Sequence, residues 1–207
     1  MAIVRLLGQP NTRSSFVDGV LTSEQCKDII DHYANISPTP AKTQQYGISQ
    51  PVTTTLKHRK GEVVLGSPNF PHFDTINKHV AEYLMLTGIA VRGKPQSQYT
   101  IYRTSGDHFQ SHKDEPLDNH QDTRFFKSGQ DMRKVSVSLH LSDPNDYTGS
   151  KLQFPIVTAA GEKVWSSYNQ TAGSMVIFPS YWNHRVTALE SGTRYSMVLW
   201  YMGKLWS

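Results

Sequence analysis

A histidine followed two residues later by an aspartate can, on a β-strand, put an imidazole and a carboxylate on one face, because side chains alternate with a period of two. Such a pair can share one metal ion. Three occur in this chain: His72-Phe73-Asp74, His112-Lys113-Asp114 and His120-Gln121-Asp122. Their surroundings separate them. His72 and Asp74 open a helical pattern, in which residues two apart point about 200° away from each other around the axis. His120 and Asp122 lie in a polar segment, 115 to 133, that reads as a loop between strands and has no alternating hydrophobic residues to hold a ligand pair rigid. The middle pair ends a β-prone run that sets His108, Gln110, His112 and Asp114 on one face and Phe109, Ser111 and Lys113 on the other. His112 and Asp114 are therefore the candidate metal pair.

A third ligand is offered by His184, 72 residues after His112, at the end of Val176-Ile177-Phe178-Pro179-Ser180-Tyr181-Trp182-Asn183. Two imidazoles and one carboxylate on one side of a metal leave three positions open, the arrangement used for non-haem Fe(II) and O2 chemistry. Ten residues further on, Arg194 opens the last apolar strand, Arg194 to Tyr201. A permanent charge at that place calls for an anion, and a guanidinium suits a bidentate carboxylate. Taken singly, His184 reads as a satisfied strand-end histidine and Arg194 as a rim residue in solvent. Beside the His112 and Asp114 spacing, the two form a constellation.

These side chains need a frame. Thr22-Ser23-Glu24-Gln25 is a capping box, and Cys26, Ile29, Ile30 and Tyr33 follow at helical spacing, so an amphipathic helix is predicted to end near Asn35. A second helix carries Phe73, Ile76, Val80, Tyr83 and Leu84 on one face and stops before Gly88. Residues 36 to 60 read as a long connection with one edge strand near Val52 to Leu56. From about Gln96, eight short β-prone runs follow, at 98–104, 107–113, 134–142, 150–157, 163–168, 174–178, 183–188 and 194–202, which predicts a sandwich or jelly-roll barrel. Lys134 to Ser142 alternates, with Val135, Val137, Leu139 and Leu141 on one face and Ser136, Ser138 and His140 on a polar face suited to line a cavity.

At 207 residues the chain fits one ordinary domain, and 37% hydrophobic with 18% charged residues is a globular composition. A single cysteine, Cys26, excludes an internal disulfide framework and any cysteine-based zinc site, whereas nine histidines allow a His and carboxylate site. The start is too short and polar for a signal peptide and no stretch approaches a membrane span, so a cytoplasmic protein without a membrane partner is expected. The net charge of +4 is modest, and the longest basic patch, Lys57-His58-Arg59-Lys60, reads as a solvated surface.

Four motifs stand in register: Tyr102-x-x-x-Gly106-x-x-Phe109-x-x-His112-x-Asp114, Gly149-x-x-Leu152-x-Phe154-Pro155, Gly173-x-x-Val176-x-Phe178-Pro179 leading to His184, and Gly192-x-Arg194. In that order, over about residues 96 to 203, the chain resembles the 2-oxoglutarate- and Fe(II)-dependent oxygenases, most closely the prolyl 4-hydroxylase-like branch. The resemblance implies a mainly β fold with flanking helices, a double-stranded β-helix. It implies a single domain over 1–207, with 1–95 supplying helical support and loops and 96–203 the jelly-roll core. By the same resemblance His112, Asp114 and His184 would bind Fe(II), Arg194 would pair with the distal carboxylate of 2-oxoglutarate, and Tyr102 would hydrogen-bond that cosubstrate. His140 falls where some members place a second tyrosine near the carboxylate. It is either a further donor to that group or part of the barrel wall. Ser196 and Trp200 share the face of Arg194 by the period-two rule, so Ser196 is placed to assist the carboxylate and Trp200 to wall the pocket or to pack.

The implied reaction couples oxidative decarboxylation of 2-oxoglutarate, with O2 and with ascorbate as reductant in vitro, to hydroxylation of a C–H bond. A prolyl residue in a protein or peptide is the substrate the branch implies, and a free amino acid or other small molecule is the alternative. A nucleic-acid demethylase of the same superfamily is the nearest rival, but Arg194-Tyr195-Ser196-Met197-Val198 lacks the further arginine and asparagine residues that branch carries. A jelly-roll binding module without catalysis leaves the His112, Asp114, His184 and Arg194 pattern a coincidence. Oligomeric state and substrate identity are not legible in the residues.

Overall fold

A computed structural model describes residues 5–7, 14–42, 57–115 and 131–204. In chain order its elements are β1 (Arg5–Leu7), β2 (Ser14–Val17), α1 (Ser23–Ala34), β3 (Thr39–Pro40), β4 (Arg59–Lys60), β5 (Glu62–Gly66), α2 (Phe73–Thr87), β6 (Gln96–Tyr102), β7 (His108–His112) and β8 (Met132–His140). There follow β9 (Tyr147–Gly149), β10 (Leu152–Val157), β11 (Lys163–Ser167), β12 (Met175–Pro179), β13 (His184–Val186), β14 (Leu189–Gly192) and β15 (Arg194–Gly203). The strand expected at 52–56, the pair His120 and Asp122, and most of the loop expected at 115–133 lie outside the described residues.

Both helices form where the pattern requires. In α1 the Thr22 hydroxyl accepts from the Gln25 backbone N–H at 3.2 Å, and the Gln25 side chain accepts from the Thr22 N–H at 3.0 Å. The helix buries Cys26, Ile29 and Tyr33, and α2 buries Ile76, Val80 and Tyr83 before Gly88 closes it in the left-handed region. These side chains meet Val135, Val137 and Leu139 of β8 and Met197 and Leu199 of β15 in one core. Full burial of each aliphatic residue contributes roughly 1.5–3 kcal/mol. The helices thus cover the outer face of an eight-stranded sheet ordered β1-β2-β12-β8-β15-β6-β5-β3.

A five-stranded sheet, β11-β10-β13-β7-β4, forms the other layer, and β14 and β9 make a separate ribbon. Between the layers sits a smaller core of Leu152, Phe154, Val176 and Phe178. This two-layer arrangement with helices on one face is a double-stranded β-helix of the jelly-roll kind. All eight expected strands occur with boundaries within two residues of those read from the pattern. The first 95 residues supply more than helical support and loops: β2 pairs with β12, β5 with β6, and β4 with β7, so the N-terminal half extends both sheets. These added strands are two to five residues long and take their order from a neighbouring strand, not from their own alternation.

Gly173 locks the N-terminal segment against this frame. Its carbonyl accepts from the N–H groups of Val20 and Leu21 at 2.9 and 3.2 Å, its φ is +78°, and a Cβ there would lie 1.9 Å from the Leu21 carbonyl oxygen. Gly173→Ala is therefore expected to lower stability by at least about 2 kcal/mol. Urea unfolding checks this, and an unchanged midpoint would refute it.

Candidate functional site

His112 and His184 face each other directly as partners in the β7–β13 ladder. The next pair is Phe109 with Val186, so three steps along β7 match two along β13, and the register shift is a β-bulge. The bulge corrects the strict alternation expected over 108–114. Phe109 turns to the same side as His112 and stacks on its ring, with centroids 3.4 Å apart, whereas the His108 ring turns to the carbonyls of Gly106 and Lys57. Asp114 follows the strand end, where the Glu115 N–H donates to the Ser180 carbonyl at 2.9 Å and carries the chain across to the eight-stranded layer.

His112, Asp114 and His184 come together, with one ligating atom from each inside a 4.8 Å cluster. Asp114 Oδ1 is 3.6 Å from His112 Nε2 and Asp114 Oδ2 is 3.8 Å from His184 Nε2. The Ser136 hydroxyl donates to Asp114 Oδ2 at 2.7 Å and lies 2.9 Å from the Ser180 hydroxyl. Each imidazole has Nδ1 against a backbone carbonyl, Gln110 for His112 at 2.7 Å and Trp182 for His184 at 3.0 Å. A carbonyl only accepts, so each Nδ1 carries a proton and each Nε2 is the ring atom turned to the cluster. Burial, with the neighbouring His112, pushes His184 down to about 4, against the pull of Asp114, which keeps the His184 imidazole neutral. Burial alone would raise Asp114, but His184, His112 and the Ser136 hydroxyl outweigh it and hold the carboxylate well below its usual range. Two Nε2 atoms and one ionised carboxylate turned toward one point suit a divalent cation.

The remaining pair, His72 and Asp74, does not chelate. His72 caps α2 at a φ of 63° and its Nε2 lies 2.7 Å from Asp28 of α1, joining the two helices.

Across the cleft from this cluster, Arg194 pairs with Tyr102 on β6, and its neighbour Ser196 pairs with His140 on β8. Arg194 is 2% exposed, its Nη2 donates to His140 Nδ1 at 3.2 Å, Nη1 reaches Ser196 Oγ at 3.5 Å, and its guanidinium carbon is 5.7 Å from the Tyr102 ring centre. No carboxylate among the described residues pairs with it. Burial, then the charge of Arg194, holds His140 well below the usual histidine range, so it is neutral, accepts at Nδ1 and carries a proton at Nε2. His140 Nε2 and Arg194 Nε are both buried without partners. The Arg194 Nε–H lacks an acceptor on a buried cationic group, and a carboxylate entering the cleft would supply one. Tyr102, Ser138, Ser196 and Trp200 line the cleft, whereas His140 stands behind Arg194.

Because His140 resists protonation in the native protein and not in the unfolded chain, its contribution to stability is present above pH 6.5 and is lost as pH falls. One such residue adds a slope of up to about 1.4 kcal/mol per pH unit. In metal-free protein, His140→Asn, which keeps an acceptor for Arg194, is expected to flatten the decline between pH 6.5 and 5. Urea unfolding across that range measures it, and an identical decline in both proteins would sink the idea.

Two cleft residues escaped the sequence reading. Phe109 was assigned to the opposite face because the bulge is invisible in the pattern. Arg59 was taken as part of a solvated basic patch, yet it is 6% exposed, lines the cleft and lies 4.3 Å over the Phe109 ring. Its pairing on the two-residue strand β4, opposite Phe109, is what turns it inward.

Comparison with known proteins agrees with this geometry. The family model of the 2OG-Fe(II) oxygenase superfamily matches residues 97–202, and the chain belongs to that superfamily. It is an Fe(II)- and 2-oxoglutarate-dependent oxygenase. A PKHD-type hydroxylase of Rippkaea orientalis is 28% identical over 89% of this chain and 76% of its own length. One from Hyphomonas neptunium is 36% identical, but over 46% of this chain and only 38% of its own length. Among solved structures, a Pseudomonas putida prolyl-4-hydroxylase superposes with a TM-score of 0.62 at 16% identity, covering 93% of each chain. A Trichoplax adhaerens prolyl hydroxylase in complex with a hypoxia inducible factor peptide fragment gives 0.63 at 16% identity, over 91% of this chain and 82% of the other. These likenesses are of fold. No helix among the described residues is long and apolar enough to cross a membrane.

Proposed function

We propose that the chain is a single catalytic domain that hydroxylates a prolyl residue in a protein or peptide, with His112, Asp114 and His184 holding Fe(II) and Arg194 receiving the distal carboxylate of 2-oxoglutarate. The observation that carries this reading is a buried guanidinium without a carboxylate partner, across one cleft from two imidazoles and a carboxylate. The prolyl preference draws support from the prolyl hydroxylases that share the fold. Bound together, Fe(II) and 2-oxoglutarate supply the chemistry: one O2 is consumed, 2-oxoglutarate leaves as succinate and CO2, and one C–H bond becomes C–OH.

The residues of the chain orient and shield. The Gln110 and Trp182 carbonyls hold the two Nδ1–H groups and so orient both rings with Nε2 toward the cluster. Ser136 holds one Asp114 oxygen and thereby orients the carboxylate. His140, behind Arg194, keeps the guanidinium in place through Nδ1, and Ser196 and Tyr102 line the cleft beside it. Phe154 and Phe178 wall the His184 ring, and Phe109 covers that of His112, which keeps water from the ligands.

Succinate release from 2-oxoglutarate with Fe(II), O2 and ascorbate tests the reading. Wild type is expected to show slow turnover that rises with a proline-containing peptide and vanishes in His112→Ala. If folded, iron-loaded wild type neither bound nor consumed 2-oxoglutarate, the assignment would be wrong. Stimulation by a small molecule and by no peptide would replace the prolyl substrate.

A further inference from the structure

The cleft holds a second buried guanidinium, and the geometry points to Arg59 as the group that binds a carboxylate on the primary substrate. The Arg59 guanidinium carbon lies 4.3 Å from the centre of the Phe109 ring, which in turn stacks on His112, so Arg59 stands close to a candidate metal ligand. A side chain that is 94% buried normally finds a partner for each donor, and Arg59 does not. Nη1 donates to the Lys42 carbonyl at 3.2 Å, Nε has no acceptor, and no carboxylate lies within ion-pair distance among the described residues. A buried cation with no anion beside it among the described residues is costly to keep, which makes Arg59 a poor structural element and a prepared receptor for an anion.

Charge balance identifies what kind of anion. Among the described residues the charged side chains lining the cleft are Arg59, Arg194 and Asp114, a net single positive charge. On the assignment proposed above, on which this inference rests, Fe(II) and the 2-oxoglutarate dianion cancel each other. One positive charge is left, and Arg194 is already engaged. A substrate carrying one carboxylate near the oxidised carbon neutralises the site, and the planar fork of Arg59 binds it in two-point fashion. That carboxylate belongs either to a free amino acid or to an acidic residue next to proline in a peptide. The chemistry Arg59 recognises is the same.

Two matched pairs of probes separate these sources: L-proline against L-prolinamide, and acetyl-Pro-Asp-amide against acetyl-Pro-Asn-amide. Each is titrated calorimetrically, without oxygen, into protein loaded with Mn(II) and 2-oxoglutarate. In at least one pair the acid is expected to bind at least about tenfold more tightly than its neutral partner, the size of one charge-assisted contact. That pair names the source. Arg59→Gln is expected to erase the preference and Arg59→Lys to keep part of it. Equal affinity within both pairs, binding by none of the four, or a preference that survives Arg59→Gln overturns the proposal. So does a loss of 2-oxoglutarate affinity in Arg59→Gln as large as that in Arg194→Gln, which would give the guanidinium to the cosubstrate. Should the Arg59 variants not fold, the wild-type comparison within each pair still decides. Failure of wild type to take up 2-oxoglutarate at all is seen in the loading step and sinks the function proposed above together with this inference.

Discussion

Asp114→Ala is expected to lose metal affinity by at least about 100-fold and to release no succinate. Asp114 is the only acidic residue lining the cleft among the described residues, it is 8% exposed, and both of its oxygens face imidazole nitrogens. Loss of a residue that merely orients a ligand typically costs 10- to 100-fold in affinity, so loss of a ligand that also carries the charge must cost more. The variant should still fold. The Ser136 hydroxyl retains Ser180 as partner, and a buried carboxylate is removed together with the cost of burying it. Metal content after dialysis against a weak chelator, with thermal unfolding of the metal-free proteins as control, separates ligand loss from misfolding. Full iron occupancy in Asp114→Ala would remove Asp114 from the ligand set.

Arg194→Gln is expected to raise the KM for 2-oxoglutarate by more than about 100-fold while leaving metal affinity in place. A buried charge-assisted pair is worth roughly 2–5 kcal/mol when one partner is truncated, and 1.4 kcal/mol is a factor of ten. The split between the two affinities is the informative part, because Arg194 stands on the opposite sheet from His112 and His184 and bonds instead to His140 and Ser196. Arg194→Lys should recover part of the loss, since charge returns without the two-point fork. An unchanged KM in Arg194→Gln would mean that the cosubstrate binds elsewhere. Neither variant should lose stability through that position, because Arg194 has no carboxylate to leave behind.

How much of this was readable from residue order depends on whether a feature obeys a local period. The face of β8 that carries Val135, Val137 and Leu139 was legible because both sides of the strand are constrained, one by helices and one by a polar cleft. The spacing of His112, Asp114, His184 and Arg194 was legible because those residue types are costly to place in strands without a task. Phe109 was misplaced for a different reason. A bulge shows only when β7 and β13 are laid side by side, and nothing within 108–112 marks it. Arg59 escaped because a strand of two residues has no period to read, and a run of basic residues looks solvated until its partner strand is known. The strands before residue 95 were hidden in the same way, since β2, β4 and β5 acquire their direction from β12, β7 and β6.

The division of the cleft between two layers has a mechanical meaning. The His112 and His184 rings belong to strands of the five-stranded sheet, whereas Tyr102, His140 and Arg194 belong to the eight-stranded one. On the proposed assignment, one small dicarboxylate is gripped by the first sheet at its keto end and by the second at its distal end. It therefore acts as a removable rivet through the sandwich. A metal ion by itself would tie the five-stranded leaf to the other only through Asp114 and its bond from Ser136 of β8, and the dicarboxylate would add a second tie at Arg194.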